Sequence, residues 1–281
     1  EERYNRLVSA DCIKLLGPKY LLLDSKFDDF RKKIELKSHK VKRVFIFFGG
    51  SDPYNLTSMA LKAFLTKDLS NLFVDIVIGS NNLNVKKIKI LCSQRKNIKL
   101  HIQTNKISDI MSKADLAIGS GGVNTWERIY LGLPSITISF SENHDILLKD
   151  LDKNGYIFHL GNHSDVNTQI ITNKVVEIKN NVSLLNQKKK LISLIDVNGS
   201  EKVAYELIKH KKILISIISD KDSWINDFIL IYIKKLKKNG HQVSWIHNIK
   251  KVPKGDICIL LGCSQFMDSK LRKNNFHNVV V

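Results

Sequence analysis

Three short segments hold residue types that bind phosphates and sugars. The densest is Ser120-Gly121-Gly122-Val123-Asn124-Thr125-Trp126-Glu127, between an apolar run and an amphipathic one. Glycines in a strand-to-helix turn let the backbone come close to a phosphate. The helix start behind them offers N–H groups without helical acceptors and the positive end of the helix dipole. Ser120, Asn124 and Thr125 can add side-chain donors. Glu127 has two readings: a carboxylate that complements the dipole, or one that accepts two ribose hydroxyls a turn away from the phosphates. The spacing is not GxGxxG, and no acidic residue ends the next strand at the expected distance, so NAD is a poor fit.

The second segment is Phe48-Gly49-Gly50-Ser51-Asp52-Pro53-Tyr54-Asn55-Leu56-Thr57, again after an apolar run. Gly49 and Gly50 permit a tight turn, and Ser51 can donate to a phosphate. Asp52-Pro53 also reads as a turn before a helix, with no ligand role. The third segment is Ser141-Glu142-Asn143-His144-Asp145. Asn143 and His144 are placed to contact a sugar, although a loop histidine can equally be solvent-exposed with no role. The other histidines form no metal-spaced cluster, so no metal site is assigned.

These segments need a scaffold that brings them to one edge. Apolar runs of β type at residues 41–48, 72–78, 98–102, 115–118 and 135–140 alternate with helical patterns at 55–65, 84–93, 108–113, 123–130 and 145–153. The runs read as apolar rather than alternating, most clearly at 44–48, as strands covered on both faces should be. The alternation predicts an α/β fold: an open, mostly parallel sheet with helices on both faces. All three segments then follow the carboxyl ends of strands, where such sheets bind ligands. Residues 165–210 read as three helices (166–177, 183–193 and 200–210) without a strand. The α/β rhythm restarts with strands at 212–218, 242–247, 256–261 and 278–281 and helices at 225–238 and 264–273. The division read from this is a lead-in at 1–40, a nucleotide-sugar-binding domain at 41–210, and a partial second Rossmann-like domain at 211–281. The absence of an initiator Met and the Val279-Val280-Val281 ending read as a piece of a longer chain.

Composition narrows the function classes. No apolar run approaches the ~20 residues of a bilayer span, so no membrane span is expected. The four cysteines are scattered, with no CxxC pair, which fits a reducing cytoplasmic compartment. The net charge of +18 raises nucleic acid as a partner, but only seven of the 45 basic residues are Arg, and the lysines are spread along the chain. Specific phosphate recognition favours the Arg fork, so no specific nucleic-acid binding is expected. The field suffices to attract anionic nucleotide-sugars.

Gly17-Pro18-Lys19-Tyr20, Phe48-Gly49-Gly50-Ser51-Asp52-Pro53, the Gly-Gly-x-x-Thr-Trp-Glu-Arg segment at 121–128, Leu131-Gly132-Leu133-Pro134-Ser135 and Glu142-Asn143 occur in this order. Residues 1–205 thereby resemble the C-terminal half of the UDP-2,4-diacetamido-2,4,6-trideoxy-β-L-altropyranose hydrolases of pseudaminic acid biosynthesis. Spore-coat polysaccharide relatives and the wider MurG-type glycosyltransferases, with two facing Rossmann-like (GT-B) domains, share the pattern. The resemblance implies that Gly121, Gly122 and Thr125 line a diphosphate, that Glu127 holds the ribose, and that Asn143 touches the sugar. It places uracil near Ile78, Gly79 and the loop ending at Ile107. It also implies release of UDP from a UDP-sugar by water, without a cofactor, and a catalytic His in an N-terminal half that this chain lacks. Val123 stands where relatives often carry Ser, His144 where Gln is frequent, and Asp24 where Arg is common.

Residues 211–281 resemble the start of formyltransferase-like domains, through Ile217-Ile218-Ser219-Asp220-Lys221-Asp222-Ser223-Trp224-Ile225-Asn226, Gly240-His241-Gln242-Val243 and Gly255-Asp256-Ile257-Cys258. That resemblance implies 10-formyltetrahydrofolate as the donor of the complete domain. The expected function is UDP-sugar hydrolysis in surface-glycan synthesis. The alternative is a glycosyltransferase using the same donor, and a basic nucleic-acid-binding protein is the third reading.

Overall fold

The computed structural model describes residues 8, 12–34, 36, 40–179, 184–195, 199–208, 214–261 and 276–280. They form two compact units, Ser25–Val197 on one side and Glu1–Asp24 with Asn198–Val281 on the other.

The first unit holds a six-stranded, all-parallel sheet. Its strands are β1 (Arg43–Phe47), β2 (Phe73–Ile78), β3 (Ile98–Ile102), β4 (Leu116–Gly119), β5 (Ser135–Ser139) and β6 (Phe158–Asn162). Their spatial order is β3-β2-β1-β4-β5-β6, so the direction of winding reverses between β1 and β4. That reversal opens a crevice outside the carboxyl ends of the two central strands. The helices are α1 (Lys26–Arg31), α2 (Leu56–Ala63), α3 (Val85–Ser93), α4 (Ile107–Ser112), α5 (Val123–Tyr130), α6 (Glu142–Lys153), α7 (Thr168–Lys179) and α8 (Leu184–Leu194). Two packed groups cover the sheet: α2 touches α3 and α7, while α5 touches α1 and α8, and α1 touches α4.

The central strands are buried on both faces, which explains the apolar run of β1. Val44, Phe45 and Ile46 on β1 and all of β4 and β5 are buried. Val44 and Ile46 join the cluster with Leu56, Ala60 and Leu61 of α2 and Ile171 and Val175 of α7. Each fully buried aliphatic side chain of this kind contributes about 1.5–3 kcal/mol through the hydrophobic effect.

The predicted strands and helices of this unit are present, with ends shifted by a few residues. One strand escapes the sequence reading. β6 (Phe-His-Leu-Gly-Asn) lacks an apolar run, sits at the sheet edge and is half-buried throughout. Pairing with β5 makes it a strand, with a register irregularity between Thr137 and Ser139. Helix α6 also begins earlier than the sequence suggests, because Ser141 caps it and its hydroxyl accepts from the His144 N–H.

The second unit has a four-stranded parallel sheet. Its strands are β7 (Leu214–Ile218), β8 (Gln242–Ile246), β9 (Gly255–Leu260) and β10 (Phe276–Val280), in the order β10-β9-β7-β8. α9 (Ser200–Ile208) belongs here and not with the first sheet: Val203 and Leu207 pack with Ile215 and Ile217 of β7 and with Ile229 and Ile233 of α10 (Asn226–Lys238). Residues 1–24 group with this unit too, and Gly199 donates to the Leu21 carbonyl. The helix expected at 264–273 and Cys263 lie outside the described residues.

Arg31 ties the first unit's helix ends together. Its guanidinium donates to the carbonyls of Tyr130 (2.6 Å), Ile192 (2.6 Å) and Ile195 (3.1 Å), while the Tyr130 hydroxyl donates to Asp28 (2.6 Å). Arg31→Met leaves these carbonyls without that donor and should destabilise the chain by about 1–3 kcal/mol, read from the urea midpoint of unfolding.

Candidate functional site

The candidate residues fall on five adjacent strand ends. Ile107 starts α4 after β3, Ile78 ends β2 and Gly79 follows it, Gly49, Gly50 and Ser51 follow β1, Ser120 to Glu127 follow β4, and His144 follows β5. Asn143 lies in the first turn of α6, and its side chain is outside the described residues. The two glycine turns flank the β1/β4 reversal, where Phe47 pairs with Gly119.

The turns are built by close backbone approach. The Gly79 N–H donates to the Gly50 carbonyl at 3.0 Å, and a methyl on Gly79 would lie 2.7 Å from that oxygen. Gly49 and Gly122 have φ of +91° and +98°, which side-chain-bearing residues rarely adopt. Asp52 belongs to the scaffold. Its buried carboxylate accepts from the N–H groups of Leu56 (2.9 Å) and Thr57 (2.8 Å), and so caps α2. The structural reading of Asp52-Pro53 is therefore realised at Asp52, while Gly50 and Ser51 lie exposed at the edge.

The turn before α5 is held from below. Thr125 is fully buried, and its hydroxyl donates to the Ser120 carbonyl (3.1 Å) and accepts from Arg128 Nη2 (3.0 Å). It shapes the turn through these two bonds. Ser120 is buried too, with its hydroxyl turned to the Gly121 carbonyl at 3.3 Å. The Gly121, Gly122, Val123 and Asn124 N–H groups make no turn hydrogen bond among the described residues, and they sit at the start of an eight-residue helix. Such groups lack intrahelical acceptors. Glu127 is half-buried one turn further on.

His144 lies against this turn. A methyl on Gly121 would come within 2.8 Å of the His144 Cβ and Cγ, so Gly121 must be glycine for the ring to pack. The ring meets Phe140 edge-on at 5.1 Å, and its Nδ1 is buried without a hydrogen-bond partner. Burial pushes the His144 pKa below its ordinary value of 6.5. The first turn of α6 is anchored by Asp145. It accepts from Ser139 Oγ (2.8 Å) and pairs with Lys149 (2.6 Å) and buried His159 (3.1 Å). Hydrogen bonds from Lys149, Ser139 and His159 hold its carboxyl well below the usual carboxylate range. Tyr54, 49% exposed, stacks on His163 with ring centroids 3.8 Å apart and continues the aromatic wall begun by Phe140 and His144.

At the β2–β3 end the contacts are backbone. The Ile78 side chain is buried in the core, so only its backbone can face a base. Gln103 joins the two ends: its N–H donates to the Ile78 carbonyl (2.9 Å), and its Oε1 accepts from the Ser80 N–H (3.2 Å). A cleft of about 370 Å³ lined by Lys33, Met111, Asp115, Leu133 and Pro134 opens at the opposite, amino-terminal strand edge, away from all of these groups. Among the described residues no helix is long and apolar enough to cross a membrane, and no group of three His, Cys, Asp or Glu could hold a metal.

The motifs contain Arg128, Tyr54 and Asp145, but the sequence alone assigns them no role, and nothing in it marks Ser139, His159 or His163 as part of the site. Asp52→Ala, which uncaps α2, should cost about 0.5–2 kcal/mol, and Asp52→Asn less, measured by denaturant titration. In the ligand-free chain His144 is neutral at pH 7 and should titrate below pH 6.5, read from its ring proton resonances. Because the unfolded state binds that proton more readily, stability is lost as pH falls below 6.5.

Comparison with known proteins matches this unit. The chain is 31% identical over 146 residues to an uncharacterized protein of Methanocaldococcus jannaschii, covering 49% of this chain and 30% of that one. It is 29% identical over 146 residues to the spore coat polysaccharide biosynthesis protein SpsG of Bacillus subtilis, covering 52% and 43%. The matched segment thus spans less than half the length of either relative. Among solved structures, the glycotransferase of kitacinnamycin superposes with a TM-score of 0.50 at 15% identity, over 63% of this chain and 44% of that one, which supports the fold. The glycosyltransferase family 28 C-terminal domain matches residues 44–190, from β1 through most of α8. That match ends before residues 211–281 and takes in more than half of the chain, which therefore belongs to the glycosyltransferase family 28 C-terminal domain family.

Proposed function

We propose that the unit of residues 25–197 is the nucleotide-sugar-binding half of a glycosyltransferase-type enzyme, with a UDP-sugar as donor and a glycan acceptor. The observation that carries this is the row of five strand ends with two glycine turns at its reversal point. Adjacent strands lie about 4.8 Å apart, so the row from β3 to β5 runs about 19 Å. That gives room for base, diphosphate and sugar in sequence: the base beside Gly79 and Ile107, the diphosphate on the turns at 49–51 and 120–124, and the sugar beside His144. Glu127, one helical turn from the phosphate turn, is the ribose acceptor in this reading.

The chemistry is displacement at the anomeric carbon. An acceptor oxygen forms the new bond, the carbon–oxygen bond to the diphosphate breaks, and UDP leaves with the electron pair. The N–H groups at the start of α5 stabilise the charge that develops on the leaving diphosphate. The acceptor proton passes to a general base outside the residues assigned here. The family's own description favours transfer, and the name of the Bacillus subtilis relative supports polysaccharide synthesis.

Hydrolysis is the second reading, favoured by the motif order of residues 17–20, 48–53, 121–128 and 142–143. It uses the same nucleotide half with water as the acceptor. The formyltransferase-like reading of residues 211–281 gains no support from the family match, which stops at residue 190.

Calorimetric titration of the chain should give selective binding of UDP over ADP. Glu127→Ala should weaken UDP by about tenfold or more, the worth of a charge-assisted pair of hydrogen bonds, and leave inorganic pyrophosphate unaffected. Equal affinity of the variant for UDP removes the ribose assignment. Products of the full-length protein separate the two reactions: a glycoside marks transfer, free sugar marks hydrolysis.

A further inference from the structure

We infer that Arg128 is a buried counter-charge for the diphosphate: a cation locked beneath the 120–122 turn that the bound ligand neutralises, making the site selective for diphosphates over monophosphates. This rests on the nucleotide-sugar reading of the same turn and adds a residue that reading does not use.

Arg128 is 1% exposed, the largest fully buried side chain in the described structure. Its Nη2 donates to the Ser120 carbonyl at 2.8 Å and to Thr125 Oγ1 at 3.0 Å, so the guanidinium lies directly under the glycine turn. Its Nε and Nη1 have no hydrogen-bond partner among the described residues. None of the ion pairs among those residues includes it. Gly119 makes room for it, since a methyl there would lie 2.7 Å from Nη1 and collide with the Phe47 carbonyl.

A buried cation without an ion-pair partner is costly to the fold. Burial lowers the Arg128 pKa to about 10, with the adjacent Glu127 acting in the opposite direction, so the group stays charged at neutral pH. Structural needs do not explain the choice of a cation: holding the Ser120 carbonyl and the Thr125 hydroxyl takes one neutral donor. What calls for a full positive charge is an anion on the other side of the turn. A buried charge acts on an anion at the turn with less screening than an exposed one. A diphosphate carries more negative charge than a monophosphate, so a fixed cation favours it more, which is why selectivity and not only affinity should depend on Arg128.

The test is calorimetry of the full chain with UDP and UMP, for the natural protein, Arg128→Met and Arg128→Lys, with the melting temperature of each. The natural protein should prefer UDP. Arg128→Met, which keeps bulk and removes charge, should lower the UDP-to-UMP affinity ratio by about tenfold or more, and Arg128→Lys should keep part of it. A purely structural role would lower the melting temperature and leave the ratio unchanged, and that result overturns the inference while leaving UDP binding intact. Absence of UDP binding by the natural protein overturns both this inference and the proposed function. If Arg128→Met does not fold, the Arg128 Nε–H resonance of the natural protein decides: it should move on addition of UDP and not of uridine, and an unmoved resonance contradicts the assignment.

Discussion

A methyl group on Gly79 would sit 2.7 Å from the Gly50 carbonyl oxygen, and one on Gly121 would sit 2.8 Å from the ring of His144. At the carboxyl edge of the first sheet, backbone packs directly on backbone and on side chains from neighbouring loops. Real Cβ atoms do not tolerate such distances, so the turns after β2 and β4 are sterically committed to glycine, while the turn after β1 favours it through the φ of +91° at Gly49. The consequence reaches beyond the turns. With no side chains in the way, the start of α5 and the ends of the two central strands form one low wall. Asp52 holds α2 behind it, Asp145 holds α6 beside it, and Arg128 lies below.

Charge is distributed to match. The +18 net charge is spread over a surface rich in Lys, where solvent screens each one and the effect is a diffuse attraction for anions. The single Arg under the glycine turn differs in kind, since it is removed from water and fixed by two hydrogen bonds. A helix dipole, a row of N–H groups and a buried guanidinium then converge on one short segment. His144, whose charged form burial disfavours, borders that segment.

Much of this was legible in the sequence because the first sheet is buried on both faces. Residues 44–48 are an unbroken apolar run and 72–78 are broken only by Asp75, and a glycine follows each and marks the strand terminus. β3 and α5 were delimited to the residue, since Ile98–Ile102 and Val123–Tyr130 carry both their apolar pattern and their stop signals locally. β6 was not legible because its strand character comes from pairing with β5 and from His159 bonding to Thr137 and Asp145. α9 read as an extension of the first helical block, since nothing in its local pattern tells which sheet Val203 and Leu207 will meet. At the site, the glycines and their partners in order were readable. The division of labour was not: Thr125 and Asp52 spend their polar atoms on the scaffold, and Arg128 gains its meaning only from a burial that no local pattern specifies.

The central claim is that the turns after β1 and β4 hold a nucleoside diphosphate. The most direct measurement is the amide NMR spectrum of the full chain titrated with UDP. The resonances of Gly49, Gly50, Gly121, Gly122 and Val123 should move together and saturate with one affinity. Binding that instead shifts residues of the opposite strand edge, such as Met111 and Leu133, or an absence of any shift at these five amides, would contradict the account.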